Sequence, residues 1–346
     1  MSSLSATLAM IDASRRQRHS RHRKVTLGLA TLAAGLFLLT LMVGQSVTPP
    51  GDLLRWALGE EVAGLSFTVG QLRLPRAILG TLSGLCFGLG GVAFQIMLRN
   101  PLASPDIIGI SSAASAAAVF AIVFLSWSGL AVSIFAVLAG LLIALTVYGL
   151  AFRDGVAGAR LILIGIGMAA MLESVIAYVL TMADAWTLQE SMRWLTGSVN
   201  GARLGQCLPL FLALIGFGTL LLIMRRNLET LRLGDETAAS LGVHLAKTRV
   251  NVIVAAVGLI AFATAVTGPI AFVAFLSGPI AARLVANSGS TVIPAALTGA
   301  ILVLGGDYAG QFLLPGRYPV GVVTGALGAP YLIYLIIRAN RMGGAA

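Results

Sequence analysis

Residues 206–267 read QCLPLFLALIGFGTLLLIM (206–224), RRNLETLRLGDETAASLGVHLAKT (225–248) and RVNVIVAAVGLIAFATAVT (249–267). Two long apolar runs flank a polar insert, and that alternation decides the fold. A helix rises about 1.5 Å per residue, so about 20 apolar residues cross roughly 30 Å of hydrocarbon. Each flanking run meets that length, whereas the insert carries charges that belong in water.

The same alternation runs through the chain. Hydrophobic residues make up 58% of 346 and charged residues only 10%, against about a quarter in soluble domains. Apolar runs fall near 25–47, 74–98, 107–126, 129–151, 160–183, 206–224, 249–267, 269–286, 292–310 and 320–338. The sequence therefore predicts an all-α, polytopic membrane bundle of about ten transmembrane helices. A basic tail over 1–24 precedes a single transmembrane domain over 25–346, with a polar loop at about 225–248. A secretory leader carries only about 7–15 apolar residues, so the run at 25–47 reads as a retained first span.

Charge sets the expected orientation. With the N-terminus inside, seventeen of the 23 Lys and Arg residues fall at cytoplasmic ends and the other six, Arg55, Arg73, Arg76, Arg193, Arg203 and Arg317, fall outside. That asymmetry follows the positive-inside rule and places both termini in the cytoplasm. The net charge of +10 thus reflects topology and not a nucleic-acid surface. The tail segment RRQRHSRHRK reads as a solvated charge block that holds the N-terminus inside. Its His19 and His22 are three apart, but a solvated tail accounts for them better than a metal site. Cys86 and Cys207 show no paired spacing.

Two features suggest a packed bundle around a pathway. The segment TGPIAFVAFLSGPIAARL holds Pro269 and Pro279, and a broken helix survives in lipid only where protein or a wet cavity satisfies the freed backbone groups. Gly80, Gly84 and Gly88 are four apart, with Gly90 and Gly91 beside them; Gly321, Gly325 and Gly328 repeat the pattern in the last span. Such stripes let helix backbones approach closely. For the last span, internal packing and a subunit interface are equally open.

Much chemistry is missing. There is no phosphate loop, and the two lysines, Lys24 and Lys247, follow Arg23 and Ala246. The chain is therefore not expected to hydrolyse ATP, nor to be an enzyme. Glu173 and Asp307 are the carboxylates well inside spans. Intramembrane acids are functional candidates by default. Glu173 reads equally as a pathway residue or as an interhelical hydrogen-bonding group, and Asp307 as a tie between helices.

Within the polar loop, Asp235 is expected to cap a short helix with Glu236 in its first turn. Gly242 offers a left-handed stop. Ala238, Leu241 and Leu245 fall on one face, which can pack on the bundle or dock into a partner's groove.

This loop, together with RLPR (73–76), RNPLASPDIIGISS (99–112), LILIGIGMAAML (161–172), WLTGSVNGA (194–202) and YPVGVVTGALGAPYLIYLI (318–336), resembles the FecCD family. These are permease subunits of type II ABC importers for ferric siderophores, haem and cobalamin, and the resemblance spans about residues 70–338. It implies a bacterial cytoplasmic-membrane protein that works with a second permease subunit, two ATP-binding subunits and an extracytoplasmic substrate-binding protein. No cofactor is bound directly; ATP is used by the partner. The resemblance makes Gly234, Asp235, Glu236, Ala239, Leu241 and Gly242 the contact with the ATPase, and Arg73 and Arg76 the docking arginines for the binding protein. The segments SPDIIGISS, RLILIGIGMAAML and GSVNGA are most similar to ferric enterobactin permeases, which implies an iron–siderophore cargo. Haem and cobalamin members share most of these motifs.

The chain departs from the family at two places. Gln311 stands where some members carry an outer arginine, with Arg317 nearby as a substitute, and SGPIAAR (277–283) replaces the usual APHIAR. The competing class is an ion-gradient-driven transporter using Glu173 or Asp307 and the break near Pro269. A structural membrane scaffold is a third.

Overall fold

The computed structural model describes residues 2–104, 109–151, 158–286 and 288–343. Residues 105–108, which include the last two residues of the RNPLASPD turn, and Arg153 lie outside the described residues. Apart from an isolated bridge between Val43 and Val47, the regular structure among the described residues is helical.

Fourteen segments organise the description. They are α1 (Ser2–Met42), α2 (Pro50–Ala57), α3 (Leu74–Met97), α4 (Ile110–Leu125), α5 (Leu130–Ala151), α6 (Gly158–Thr181) and α7 (Ala185–Leu195). After them come α8 (Leu204–Ala213), α9 (Arg225–Leu231), α10 (Asp235–Ser240), α11 (Leu245–Thr267), α12 (Val273–Val285), α13 (Val292–Phe312) and α14 (Val320–Gly343). A π-turn over Thr68–Arg73 leads into α3, and another over Leu214–Gly218 continues α8 to Thr219–Ile223.

Seven helical stretches among the described residues are long and apolar enough to cross a bilayer, and Ile110–Leu125, Val273–Val285 and Val320–Leu335 are shorter apolar helices. Every apolar run of the sequence coincides with one of these. The tail differs from expectation: it continues α1 as helix, and His22 Nε2 lies 2.8 Å from the Ser290 carbonyl oxygen.

The core is built on α3, which packs against α11, α12 and α13. Glycine makes this approach geometrically feasible. A Cβ on Gly84 would meet the backbone of Gly299 and Ala300, one on Gly88 the Ala295 carbonyl, and one on Gly91 the Ala274 carbonyl. Apolar side chains gain nothing by leaving lipid for one another, so dispersion at short backbone separation holds these helices. Phe87, Phe94, Leu259 and Ile260 fill the remaining space, each fully buried. The glycines of α14 also pack within the chain: Gly321 abuts the Thr196 carbonyl and Gly328 the Phe272 ring.

The predicted break near Pro269 lies between α11 and α12, where Gly268 has φ +71° and Phe272 φ +63°. Pro279, by contrast, stays inside α12. Thr267 Oγ1 donates to the Ala263 carbonyl, and Ser198 N–H donates to the Thr267 carbonyl at 2.6 Å, so the interrupted backbone finds partners in protein.

Candidate functional site

The polar loop forms a small built unit at one end of the bundle. In α9, Leu228 and Leu231 are fully buried and seat the loop on the core. Gly234 then adopts φ +104°, a conformation that strains any side-chain-bearing residue, and turns the chain into α10. Gly242, at φ +84°, supplies the left-handed stop the sequence predicts.

Asp235 does not cap this helix. Gly234 occupies the N-cap with no side-chain cap bond, and Asp235 is the first helical residue. Its carboxylate instead accepts from Arg249 Nη2 at 2.6 Å, at the start of α11, and lies 3.5 Å from Arg99 Nη2, just beyond α3. The reason is electrostatic: two guanidiniums from separate elements converge on one carboxylate, and a charge-assisted bond outweighs a neutral cap. One residue therefore ties the loop helix to the ends of α3 and α11.

The rest of α10 has two unlike faces. Ala238 is fully buried against the protein, while Glu236, Ala239, Leu241 and Gly242 are exposed. Leu241 therefore does not join the inward face with Ala238; it and Leu233 are each 63% exposed. Two exposed leucines beside the exposed Glu236 carboxylate form a surface suited to a protein groove, with an apolar anchor and a charge that sets orientation.

The opposite end carries the outer arginines. Arg73 Nη1 donates to the Leu41 and Met42 carbonyls and to Thr48 Oγ1, each at 3.0 Å, and Nη2 donates to the Ser46 carbonyl at 2.8 Å. The last carbonyls of a helix have no intrahelical donor, and here a side chain from a later element satisfies them. Arg76 forms a two-pronged pair with Asp307, Nε to Oδ2 at 2.6 Å and Nη2 to Oδ1 at 2.7 Å. The Asp307 side chain is only 5% exposed. Asp307 thus ties α13 to α3. Among the described residues Arg76 Nη1 has no acceptor, and Arg76 lines with Arg203 and Leu204 a groove of about 660 Å³ at this end of the bundle.

Gln311, at the place of the family's outer arginine, donates to Asn200 Oδ1 at 3.3 Å. Ser277 of the SGPIAAR departure returns its hydroxyl to the Val273 carbonyl at 2.6 Å, inside its own helix. Glu173 is exposed on α6, with no ion-pair partner among the described residues. Sequence reasoning singles out neither Arg249 nor Arg99 as Asp235's partners. Arg249 stands only 14 residues on, but nothing in its spacing reveals the turn that brings it back.

Asp184 caps α7, its Oδ1 accepting from Thr187 N at 2.8 Å and Thr187 Oγ1 at 2.8 Å. These bonds, the backbone one foremost, hold its carboxyl below the usual aspartate range.

Comparison with known proteins places this architecture. Residues 31–338 match the FecCD transport family. The achromobactin transport system permease protein CbrC of Dickeya dadantii (strain 3937) is 37% identical over 333 residues, covering 94% of this chain and 95% of that protein. The ferric enterobactin transport system permease protein FepG of Escherichia coli (strain K12) is 36% identical over 288 residues, covering 82% and 86%. Among solved structures, a metal-chelate type ABC transporter in an inward-facing conformation superposes with a TM-score of 0.81 at 26% identity, covering 91% of this chain and 99% of that one. With the family match and these relatives running over most of its length, the chain belongs to the FecCD transport family.

Proposed function

We propose that the chain is the membrane-spanning permease subunit of an ATP-driven importer that carries iron–siderophore complexes across the bacterial cytoplasmic membrane. It crosses ten times, with both termini inside, and pairs with a second permease subunit. The ends of the bundle support that count. His22, Arg99, Asp235, Arg249 and Thr291 meet their partners at one end, and Arg76, Arg203, Asn200 and Gln311 at the other, as an even number of crossings requires.

The observation that carries the proposal is the two-sided loop helix. Asp235 fixes α10 to α3 and α11, while Glu236, Ala239, Leu241 and Gly242 face outward as the contact for a separate ATP-hydrolysing subunit. Nucleotide sits on that partner, so the permease itself needs no cofactor. When the ATPase pair closes or opens, movement of α10 is passed through Asp235 to both core helices, and the bundle changes the side to which it is open. An extracytoplasmic binding protein delivers cargo to the outer rim. It meets the groove beside Arg76 and Arg203, and Arg73 holds the shape of that rim through the end of α1.

The test is uptake in proteoliposomes assembled with the ATPase and binding protein. Uptake is expected to continue when the proton gradient is collapsed, to stop when ATP is withheld, and to be abolished by Glu236→Arg while the permease stays folded. Uptake that follows the proton gradient and ignores ATP overturns the importer reading. Full transport by Glu236→Arg removes α10 as the contact.

A further inference from the structure

The outer half contains a cavity that neither the coupling loop nor the docking rim explains. It encloses about 910 Å³ and is walled by α7, the turn between α4 and α5, the segment around 198–206, the end of α11 and the loop before α14. That volume lies in the range that holds drug-sized ligands, about 300–1,000 Å³.

Its lining is mixed. Val132, Ala265 and Val266 supply apolar surface, and Trp186, Trp194, Arg193 and Arg317 the chemistry. Arg193 and Arg317 are both exposed and neither has a carboxylate partner among the described residues. This separates them from Arg73 and Arg76, whose guanidiniums are engaged within the protein. Glu190 is the acid in the wall, and against it the two arginines leave the lining net positive. Arginine recognises planar oxygen pairs through its fork of donors, and it stacks on aromatic faces, as does the indole of tryptophan.

The wall is joined to elements that transport has to move. Gly197, at φ +65°, lies against the Pro269 carbonyl in the helix break, Gly268 against the Trp194 carbonyl, and Gly321 at the start of α14 against the Thr196 carbonyl. The end of α7 therefore cannot shift without the break and α14 shifting too.

We infer that this cavity is a binding site for net-negative ferric chelates of the catecholate or carboxylate class, with Arg193 and Arg317 meeting the ligand's anionic oxygens and Trp186 and Trp194 its flat faces. The inference rests on the importer reading and deepens it. Cationic trihydroxamate chelates gain nothing from two unpaired arginines and are disfavoured.

The experiment uses the assembled transporter in nanodiscs without its binding protein, titrated with iron(III) tris-catecholate, iron(III) citrate or a cationic iron(III) trihydroxamate. Tryptophan quenching, compared with Trp186→Phe and Trp194→Phe, reports occupancy. Saturable quenching by the two anionic chelates is expected, weakened at least about tenfold by Arg193→Gln or Arg317→Gln, partly restored by the Lys variants, which keep the charge without the fork, and absent with the trihydroxamate. Size-exclusion profiles verify that each variant remains assembled. Quenching that is indifferent to both arginines overturns the site. So does the absence of saturable quenching in a preparation that still imports ferric chelate when its binding protein is added. In that last case the importer reading stands and the cavity belongs to the binding protein's footprint. Failure to import any ferric chelate strikes the importer reading itself.

Discussion

Helices α3 and α6 are each 24 residues long. The most apolar 18-residue windows of the spans they form, Leu65–Met97 and Arg160–Thr181, have similar mean hydropathies of 1.8 and 2.0, yet the first window is 83% buried and the second 11%. Hydropathy therefore says which segments enter the membrane and nothing about which enter the core. The difference lies in small residues. On α3, Gly84 and Gly88 let α13, and Gly91 lets α12, approach backbone to backbone, whereas on α6 a Cβ at Gly167 would meet nothing within 4 Å. Instead α6 presents Leu163, Ile166, Met171 and Tyr178 outward, with Glu173 among them. A carboxylate is ill suited to lipid, so under the proposed pairing with a second permease subunit this face is the one to test as the contact.

The largest expected effect attacks the buried side of the contrast. Gly88→Leu drives a side chain into the Ala295 carbonyl and Ala296, and overpacking against backbone leaves no flexible neighbour to yield. Loss of folded protein is expected, read as collapse of the monodisperse chromatographic peak. The equivalent Gly167→Leu on α6 should leave the peak intact. If both behave alike, small residues do not decide burial.

Next comes the clasp between α3 and α13. Arg76→Leu leaves Asp307 buried and unpaired, a change that costs about 3–5 kcal/mol in comparable buried pairs. Thermal denaturation in detergent should show a strong loss, and adding Asp307→Leu should restore most of it. A double variant no better than the single one shows that the pair does not act as a unit.

Glu173→Leu should change the isolated subunit's stability by no more than about 0.5 kcal/mol and still lower pairing or transport several-fold. Unaltered pairing and transport make the exposed face of α6 a lipid surface.

The smallest effect concerns the cap of α7. Asp184 is fully exposed and its carboxyl is held below the usual range by bonds to Thr187. A depressed carboxyl stabilises the fold above its unfolded value and loses that contribution as pH falls through its folded one. The cap should therefore hold at neutral pH and loosen only in acid below the ordinary aspartate range. Asp184→Ala should flatten that acid-side dependence in hydrogen exchange over α7, and an unchanged profile removes the cap's role.

Much of this molecule is legible in its residues. The runs, the polar insert, the glycine stripe at 80–91 and the break at Pro269 all follow from local composition, because lipid imposes the same demand on every segment: satisfy the backbone internally and expose carbon. The left-handed stop at Gly242 is equally local. Asp235 misleads because two alternatives compete for one carboxylate. Adjacent amides argue for a cap, and guanidiniums brought in by α3 and α11 win it. Arg73 and Arg76 show the same limit, since sequence shows two charges but not the α1 carbonyls, nor an aspartate 231 residues away.

The sequence by itself determined that this chain lives in a bilayer, where its helices run and what family it resembles, since each follows from short-range composition and motif. Tertiary structure alone decided which arginines are spent and which remain free, which helices form the core and where a cavity opens. Those outcomes depend on contacts between residues tens to hundreds of positions apart, and a charge shows its purpose only when the group that meets it is known.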